Sequence, residues 1–192
     1  MKTDIILAGV GGQGILSIAA TIGMASIANN LQIKQAEVHG MSQRGGAVQS
    51  HFRLSSDPIA SDLIPKGKAD LILSVEPMEA LRYIEFLKPE GWIVTNSTPY
   101  VNISNYPEVE AVMNKLKSRK NTIIVDADSM AKDLGSPRSS NIVMLGAASP
   151  FIDLPYASLE KAIKEIFLRK GEKVIEANIA ALKAGKAFAD NR

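Results

Sequence analysis

Asp4-Ile-Ile-Leu-Ala-Gly-Val-Gly-Gly-Gln-Gly14 decides how this chain is read. Asp4 to Ala8 is a short apolar run rich in branched side chains, and Gly9-Val10-Gly11-Gly12-Gln13-Gly14 satisfies G-x-G-x-x-G. A helical stretch follows from about Gly12 to Asn29. A strand that runs into a glycine turn and then a helix is the start of a βαβ unit. In that geometry Gly9 permits the tight turn, Gly11 lets the backbone approach a ligand, and Gly14 lets helix and strand pack closely. The N–H groups at the helix start then face an anion, aided by the helix dipole. The pattern alone leaves three readings open: a dinucleotide, another anionic ligand or cofactor edge, and close packing with no ligand. The dinucleotide reading needs an acidic residue about 20 positions on to hold a ribose, and Glu37 stands near that place.

Beyond the glycine loop, Gln32 to Val38 reads as a second strand. Val48, Ser50, Phe52 and Leu54 show the period of two of a third. Asp70-Leu-Ile-Leu-Ser-Val75 is a continuous apolar run, as a central strand covered on both faces requires. Trp92 to Thr95 and Thr122 to Asp126 repeat that pattern. Helices are expected from Pro77 and Met78 to Leu87, near Glu108 to Lys117, from Asn141 to Ala148, from Ser158 to Arg169 and from Glu172 to Ala189. In the fourth, Leu159, Ile163, Ile166 and Phe167 share a face. The Pro/Asn-rich stretch from Pro99 to Pro107 reads as a surface excursion. Strands alternating with helices predict an α/β fold, a doubly wound, Rossmann-like, mostly parallel sheet with C-terminal helices. Residues 1–192 read as one domain, with a helical tail from about residue 155.

Composition narrows the chemistry. Lys and Arg number 22 against 20 Asp and Glu, a net charge of +2, too balanced for a nucleic-acid or acidic-membrane footprint. Cys is absent, which excludes disulfides, thiol catalysis, Cys-ligated zinc and iron–sulfur clusters held by this chain. With only His39 and His51, a multi-histidine metal site is excluded too. The N-terminus carries no basic region or cleavage pattern of a secretory signal. The longest apolar run, Ile15 to Ala28, is shorter than the ~20 residues of a membrane span. The expectation is a cytoplasmic protein.

Two further features are unusual. No charged residue lies between Asp4 and Lys34, so the first helix has no wet face. One side carries Ile15, Ile18, Ile22 and Ala25, and the other Leu16, Ala20, Gly23 and Ile27. Either another chain or layer covers it, or it is central in its own domain. The second feature is Glu37-Val-His-Gly-Met-Ser-Gln-Arg-Gly-Gly46. It follows a strand, so it lies at the carboxyl edge of the sheet beside the glycine loop. Arg44 offers a five-donor fork for phosphate or carboxylate, Ser42 and Gln43 add neutral donors, and Gly45 and Gly46 leave room for a visitor. A tight turn with Arg44 paired to a local carboxylate is the alternative. His39 reads as a lone structural histidine, and His51 as packing or edge-facing. Ser136-Pro-Arg-Ser-Ser-Asn141 reads as a turn ending in a helix N-cap, with Arg138 a second anion-binding candidate.

Ala8-Gly-Val-Gly-Gly-Gln-Gly-Ile15, Glu37 to Gly46 and Asn141-Ile-Val-Met-Leu-Gly-Ala147 together resemble the γ-type subunit or domain of 2-oxoacid:ferredoxin oxidoreductases. The likeness extends over essentially the whole chain and is strongest to the small β subunit of the indolepyruvate-specific members. The resemblance implies a heteromeric enzyme that decarboxylates an aryl 2-oxoacid, transfers the acyl group to coenzyme A and passes electrons to ferredoxin. It also implies that thiamine diphosphate, Mg and the iron–sulfur clusters reside in a large partner subunit. The chain agrees in lacking both cysteines and a Gly-Asp pair, the start of a thiamine-diphosphate signature. It is expected to bind no cofactor alone, to contribute no catalytic residue or metal ligand, and to contact ferredoxin only indirectly. In isolation it could dimerise. Cofactor-side contacts are expected from Gly9, Gly11, Gly12, Gln13 and Gly14 and from Ser42, Gln43, Arg44, Gly45 and Gly46. The competing readings are a free-standing NAD(P)-binding protein and a non-catalytic assembly protein.

Overall fold

Lys2–Val10 form β1, and all but the first of these nine residues are buried. A strand dry on both faces needs cover on both, and the chain supplies it. The computed structural model describes residues 1–40, 45–101 and 103–191. In it β2 (Gln32–His39), β3 (Ala47–Ser55), β4 (Ala69–Ser74), β5 (Leu87–Asn96) and β6 (Thr122–Val125) join β1 in one sheet, ordered β2-β3-β1-β4-β5-β6. Strands β1, β4, β5 and β6 pair in parallel, while β3 runs antiparallel to both β1 and β2.

Helices α1 (Ile15–Ala28), α4 (Ala127–Asp133), α5 (Ser140–Ala148), α6 (Tyr156–Ile166) and α7 (Glu172–Asp190) share one core with Ile5, Leu7, Leu71 and Leu73 of the sheet. Helices α2 (Pro77–Arg82) and α3 (Val109–Lys117) cover the other face over Ile6, Ile72 and Ile93. The α/β, doubly wound, mostly parallel expectation holds. The two C-terminal helices lie inside the main core, with Leu159, Ile163, Ala181 and Leu182 fully buried.

One local expectation is corrected, and two features were not read from the sequence, the pairing of the second strand and helix α4. The second strand is not beside the first. The hairpin β2–β3 folds back so that β3 takes the place next to β1, which makes β2 an edge strand. The helix expected from Met78 to Leu87 ends at Arg82. A 3-10 turn, Ile84–Phe86, follows, with Phe86 edge-on to His51 at 5.1 Å between ring centres, and β5 already begins at Leu87. Helix α4 was not expected. Its seven residues, Ala-Asp-Ser-Met-Ala-Lys-Asp, carry too few apolar positions for a period, and it starts because Asp126 accepts a bond from the Ser129 N–H at 3.1 Å.

Helices α5 and α7 touch backbone to backbone. A methyl group at Gly185 would overlap the Val143 carbonyl, and one at Gly146 would overlap that of Leu182. His51 is buried in β3, where its Nδ1 accepts the Ile64 N–H at 3.0 Å. Burial, with Arg53 nearby as a smaller cause, holds its pKa below the ordinary value.

Gly185→Ala should destabilise the chain by about 1–3 kcal/mol, the usual cost of overpacking, read as a lower urea midpoint with an unchanged slope. A histidine whose folded pKa is depressed binds fewer protons folded than unfolded. Its contribution is therefore full above the unfolded value near 6.5 and is lost as pH falls through the folded value. The pH dependence of urea unfolding should accordingly be flatter below about pH 6.5 in His51→Gln than in the wild type.

Candidate functional site

The glycine loop joins the end of β1 to α1 at the carboxyl edge of the sheet. Its glycines divide the work differently from the fingerprint's prescription. Gly9 lies within β1, where an added methyl would strike the Val75 side chain, so it serves close packing rather than the turn. The left-handed positions are Gly12 (φ 98°) and Gly14 (φ 85°). Gly11 does not offer its amide to a ligand. Its N–H donates to Gly46 O at 2.8 Å, and its carbonyl accepts the Gly45 N–H at 3.4 Å. Gln13 closes the loop on itself, accepting the Val10 N–H at 2.8 Å and donating to Val75 O at 3.4 Å. Among the described residues, the amides of Gly12, Gly14 and Ile15 donate to no protein group, which is the normal state of a helix start open to an anion.

Gly45 and Gly46, which lead into β3, therefore sit on the glycine loop. Gly40 is tied across the β2–β3 hairpin to Ala47 O at 2.9 Å. Ser42, Gln43 and Arg44, expected to add donors here, lie outside the described residues. Glu37 is unsuited to a ribose. It stands on the edge strand, separated from β1 by β3, and is engaged by His39 and by Gln35 at 2.9 Å. His39 thus belongs to the end of β2 and contacts the Glu37 carboxylate.

The other side of the glycine loop opens into a cavity of about 490 Å³. Gly12, Gln13, Gly14 and Ser17 form one wall. Opposite stand Arg138, Lys170 and Lys173, and no Asp or Glu lines the space. Among the described residues none of these three cations has an ion-pair partner, and Lys170 lies 5.1 Å over the Phe167 ring. Helices α1, α5 and α7 all begin at this cavity. The first two are pinned together by Asn141, whose Nδ2 donates to Gly14 O at 3.1 Å. The expected side-chain N-cap before α5 is absent. Ser139 is the cap residue but makes no cap bond, and its Oγ pairs with Ser136 Oγ at 2.7 Å.

Sequence reasoning named Arg138 and missed Lys170 and Lys173. The signal was there: Lys173 occupies the first turn of α7, where the helix dipole disfavours a cation. It also missed Glu76, fully buried at the end of β4. Its carboxylate accepts the Glu79 N–H at 2.8 Å, the Tyr100 N–H at 3.2 Å and the Tyr106 hydroxyl. Glu76 thereby starts α2 and fastens the excursion after β5. With burial as the larger cause, this raises the Tyr106 pKa.

The chain matches the model of the family described as pyruvate ferredoxin/flavodoxin oxidoreductase over residues 4–188. It belongs to that family. It is 36% identical over 192 residues to the indolepyruvate oxidoreductase subunit IorB of Thermococcus kodakarensis, covering 95% of this chain and 93% of that one. To the subunit of the same name from Archaeoglobus fulgidus it is 33% identical over 194 residues, covering 96% and 94%. The crystal structure of a keto/oxoacid ferredoxin oxidoreductase gamma subunit from Geobacter sulfurreducens superposes with a TM-score of 0.70 at 26% identity, over 99% of each chain. The family likeness thus spans the glycine loop, the hairpin turn and the cavity together. No helix among the described residues is long and apolar enough to cross a membrane.

Gly14→Ala should cost roughly 1–2 kcal/mol for the left-handed backbone alone, and it also forces Asn141 off the loop. The expected readout is a lowered melting temperature with loss of slow amide exchange at the start of α1.

Proposed function

We propose that this chain is the small, non-redox subunit of an indolepyruvate-type 2-oxoacid:ferredoxin oxidoreductase acting in the cytoplasm. One observation carries the reading: the backbone bonds from Gly11 to Gly45 and Gly46. They tie the glycine loop to Gly45 and Gly46, the end of the second of the three segments that resemble the family, which supports reading the two as one edge-of-sheet site. Gly12, Gly14 and Ile15 bring unpaired amides to that site, and Ser42, Gln43 and Arg44 add donors for the phosphates of coenzyme A or the carboxylate of the oxoacid.

The chain's own residues do not suit the redox groups of such an enzyme. It has no cysteine, and no cluster of His, Asp and Glu that could hold a metal exists among the described residues. Thiamine diphosphate, Mg and the iron–sulfur clusters are assigned to a large partner subunit, which also meets ferredoxin. The small subunit caps that partner and keeps water from a carbanion-like intermediate. Helix α1 is the natural contact. Leu16 and Ile27 are 58% and 63% exposed on it, and α6 shields its other flank through Asn29 Nδ2 donating to Ser158 Oγ at 2.8 Å.

Reconstitution tests the reading. The large partner should turn over indolepyruvate with coenzyme A and ferredoxin only when this chain is added, and the isolated chain should not enhance NADH fluorescence. Arg44→Ala should raise the KM for coenzyme A or for the oxoacid by about tenfold or more, the scale of one charge-assisted hydrogen bond. Full turnover without the chain would overturn the proposal, and unchanged constants would remove Arg44 from the site.

A further inference from the structure

The two edges of the sheet are unequal. At one side β6 has four residues, the short kind of edge by which natural sheets avoid pairing with other chains. At the other side β2 has eight. It contains neither proline nor glycine, and it follows β3 from Gln32 to His39 without a bulge. Its charged side chains do not guard it. Lys34 is drawn to Ala60 O and Asp62 at 3.4 and 3.2 Å, and Glu37 is engaged by Gln35 and His39. Val38 stands beside them 65% exposed.

The ladder shows which backbone groups are open. The Gly40 N–H donates to Ala47 O and the Ser56 N–H to Met1 O, both at 2.9 Å. Hydrogen-bonded pairs alternate along an antiparallel ladder, so both bonds give the same phase: β3 bonds to β1 through its even residues and to the even residues of β2 through its odd ones. Ile33, Gln35, Glu37 and His39 therefore turn their N–H and C=O groups outward. Among the described residues nothing pairs with these groups.

Such an edge accepts a further strand, and its own sequence suits a second copy. About a twofold axis normal to the sheet, outward residues must meet outward residues and each facing pair must share a face. An axis through Ala36 satisfies both conditions. The pair on the axis is then non-hydrogen-bonded, with Cα atoms about 4.5 Å apart, and Ala36 is the smallest side chain in β2. Gln35 of each copy faces Glu37 of the other, amide to carboxylate, and the Lys34 stem faces Val38. No like charges stand directly opposite, which would weaken the pairing. Four outward pairs give about eight backbone hydrogen bonds. In the layer above, α1 borders this edge, since a methyl at Gly23 would touch Ile33, and α1 carries no charge to oppose the approach.

We propose that two copies of this chain pair through β2, antiparallel and centred on Ala36, to form one continuous sheet. The pairing is argued from the edge alone and goes beyond the function proposed above. It is measured on the chain alone, so its failure and that of reconstitution are separate.

Sedimentation should show a particle of twice the 20.6 kDa chain mass that dissociates on dilution. Gln35→Pro removes an N–H that β3 does not use, and it should weaken the dimer about tenfold or more. Ala36→Cys reads the register. The chain has no other cysteine, and the spacing at the axis suits a disulfide, so mild oxidation should give a covalent dimer. In the same register the two copies of position 38 lie about 13 Å apart, and Val38→Cys should stay uncoupled. This pair of variants decides the matter even where Gln35→Pro does not fold. A chain monomeric at every concentration, or one that cross-links as readily through Val38→Cys as through Ala36→Cys, would overturn the proposal. So would β2 amides whose exchange slows only when the large partner is added, which would give the edge to a strand of that partner.

Discussion

Backbone contact between α5 and α7 is the constraint on which the rest of the structure depends. With no side chain between the helices at Gly146 and Gly185, α7 is held as close to the main core as two helices can approach. That closeness fixes where its first turns lie, and with them Lys173, Val174 and Asn178 at the cavity. The last 19-residue helix is therefore what completes a site that begins with residues 12 to 14. Small side chains elsewhere would cost packing energy, yet here they convert lost side-chain contact into backbone proximity.

The glycine loop is held from two directions. The hairpin turn binds it through Gly11, and α5 binds it through Asn141 to Gly14. A loop so tied cannot close around a ligand by large motion. Its open amides are preorganised, and binding there costs little ordering entropy. The same ties explain why the fingerprint's usual division of labour fails. With Gly11 bonded to the hairpin, the donors left for an anion are one residue further along, on the side where the cations stand.

What could be read from the sequence follows physical range. The strand–glycine–helix unit was legible because its signals are local: a branched run, a turn, an uncharged helix. The place of β3 was not. A period of two in Val48 to Leu54 identifies a strand, but hairpin return and right-handed crossover both obey sequence rules, and only the burial of both faces of β1 chooses between them. Gly45-Gly46 between two strands was the available hint of a hairpin. Helix α4 is too short and too polar to show a period. Of the cavity's cations, Arg138 was visible beside a helix start, whereas Lys170 and Lys173 come to line the same cavity as Gly14 only through tertiary packing. Glu76 reads as an ordinary surface acid until the excursion folds over it.

The uncharged α1 gains meaning from this geometry. Its buried side, Ile15, Ile18, Ile22 and Ala25, is required by the sheet beneath it. Its outer residues are under no such demand, and a monomer's helix would carry Lys or Glu there. Charges on that face would be desolvated, at a cost of several kcal/mol each, only if another surface covered it. Leu16 begins that face two residues from the open amide at Gly14, so whatever lies on α1 also lies beside the anion-facing edge. A covering subunit would thereby lower the local dielectric around Gly12 to Gly14 and strengthen their hold on a negative group. In the proposed complex the helix start and the apolar face would be parts of one device, in which association itself would tighten the site.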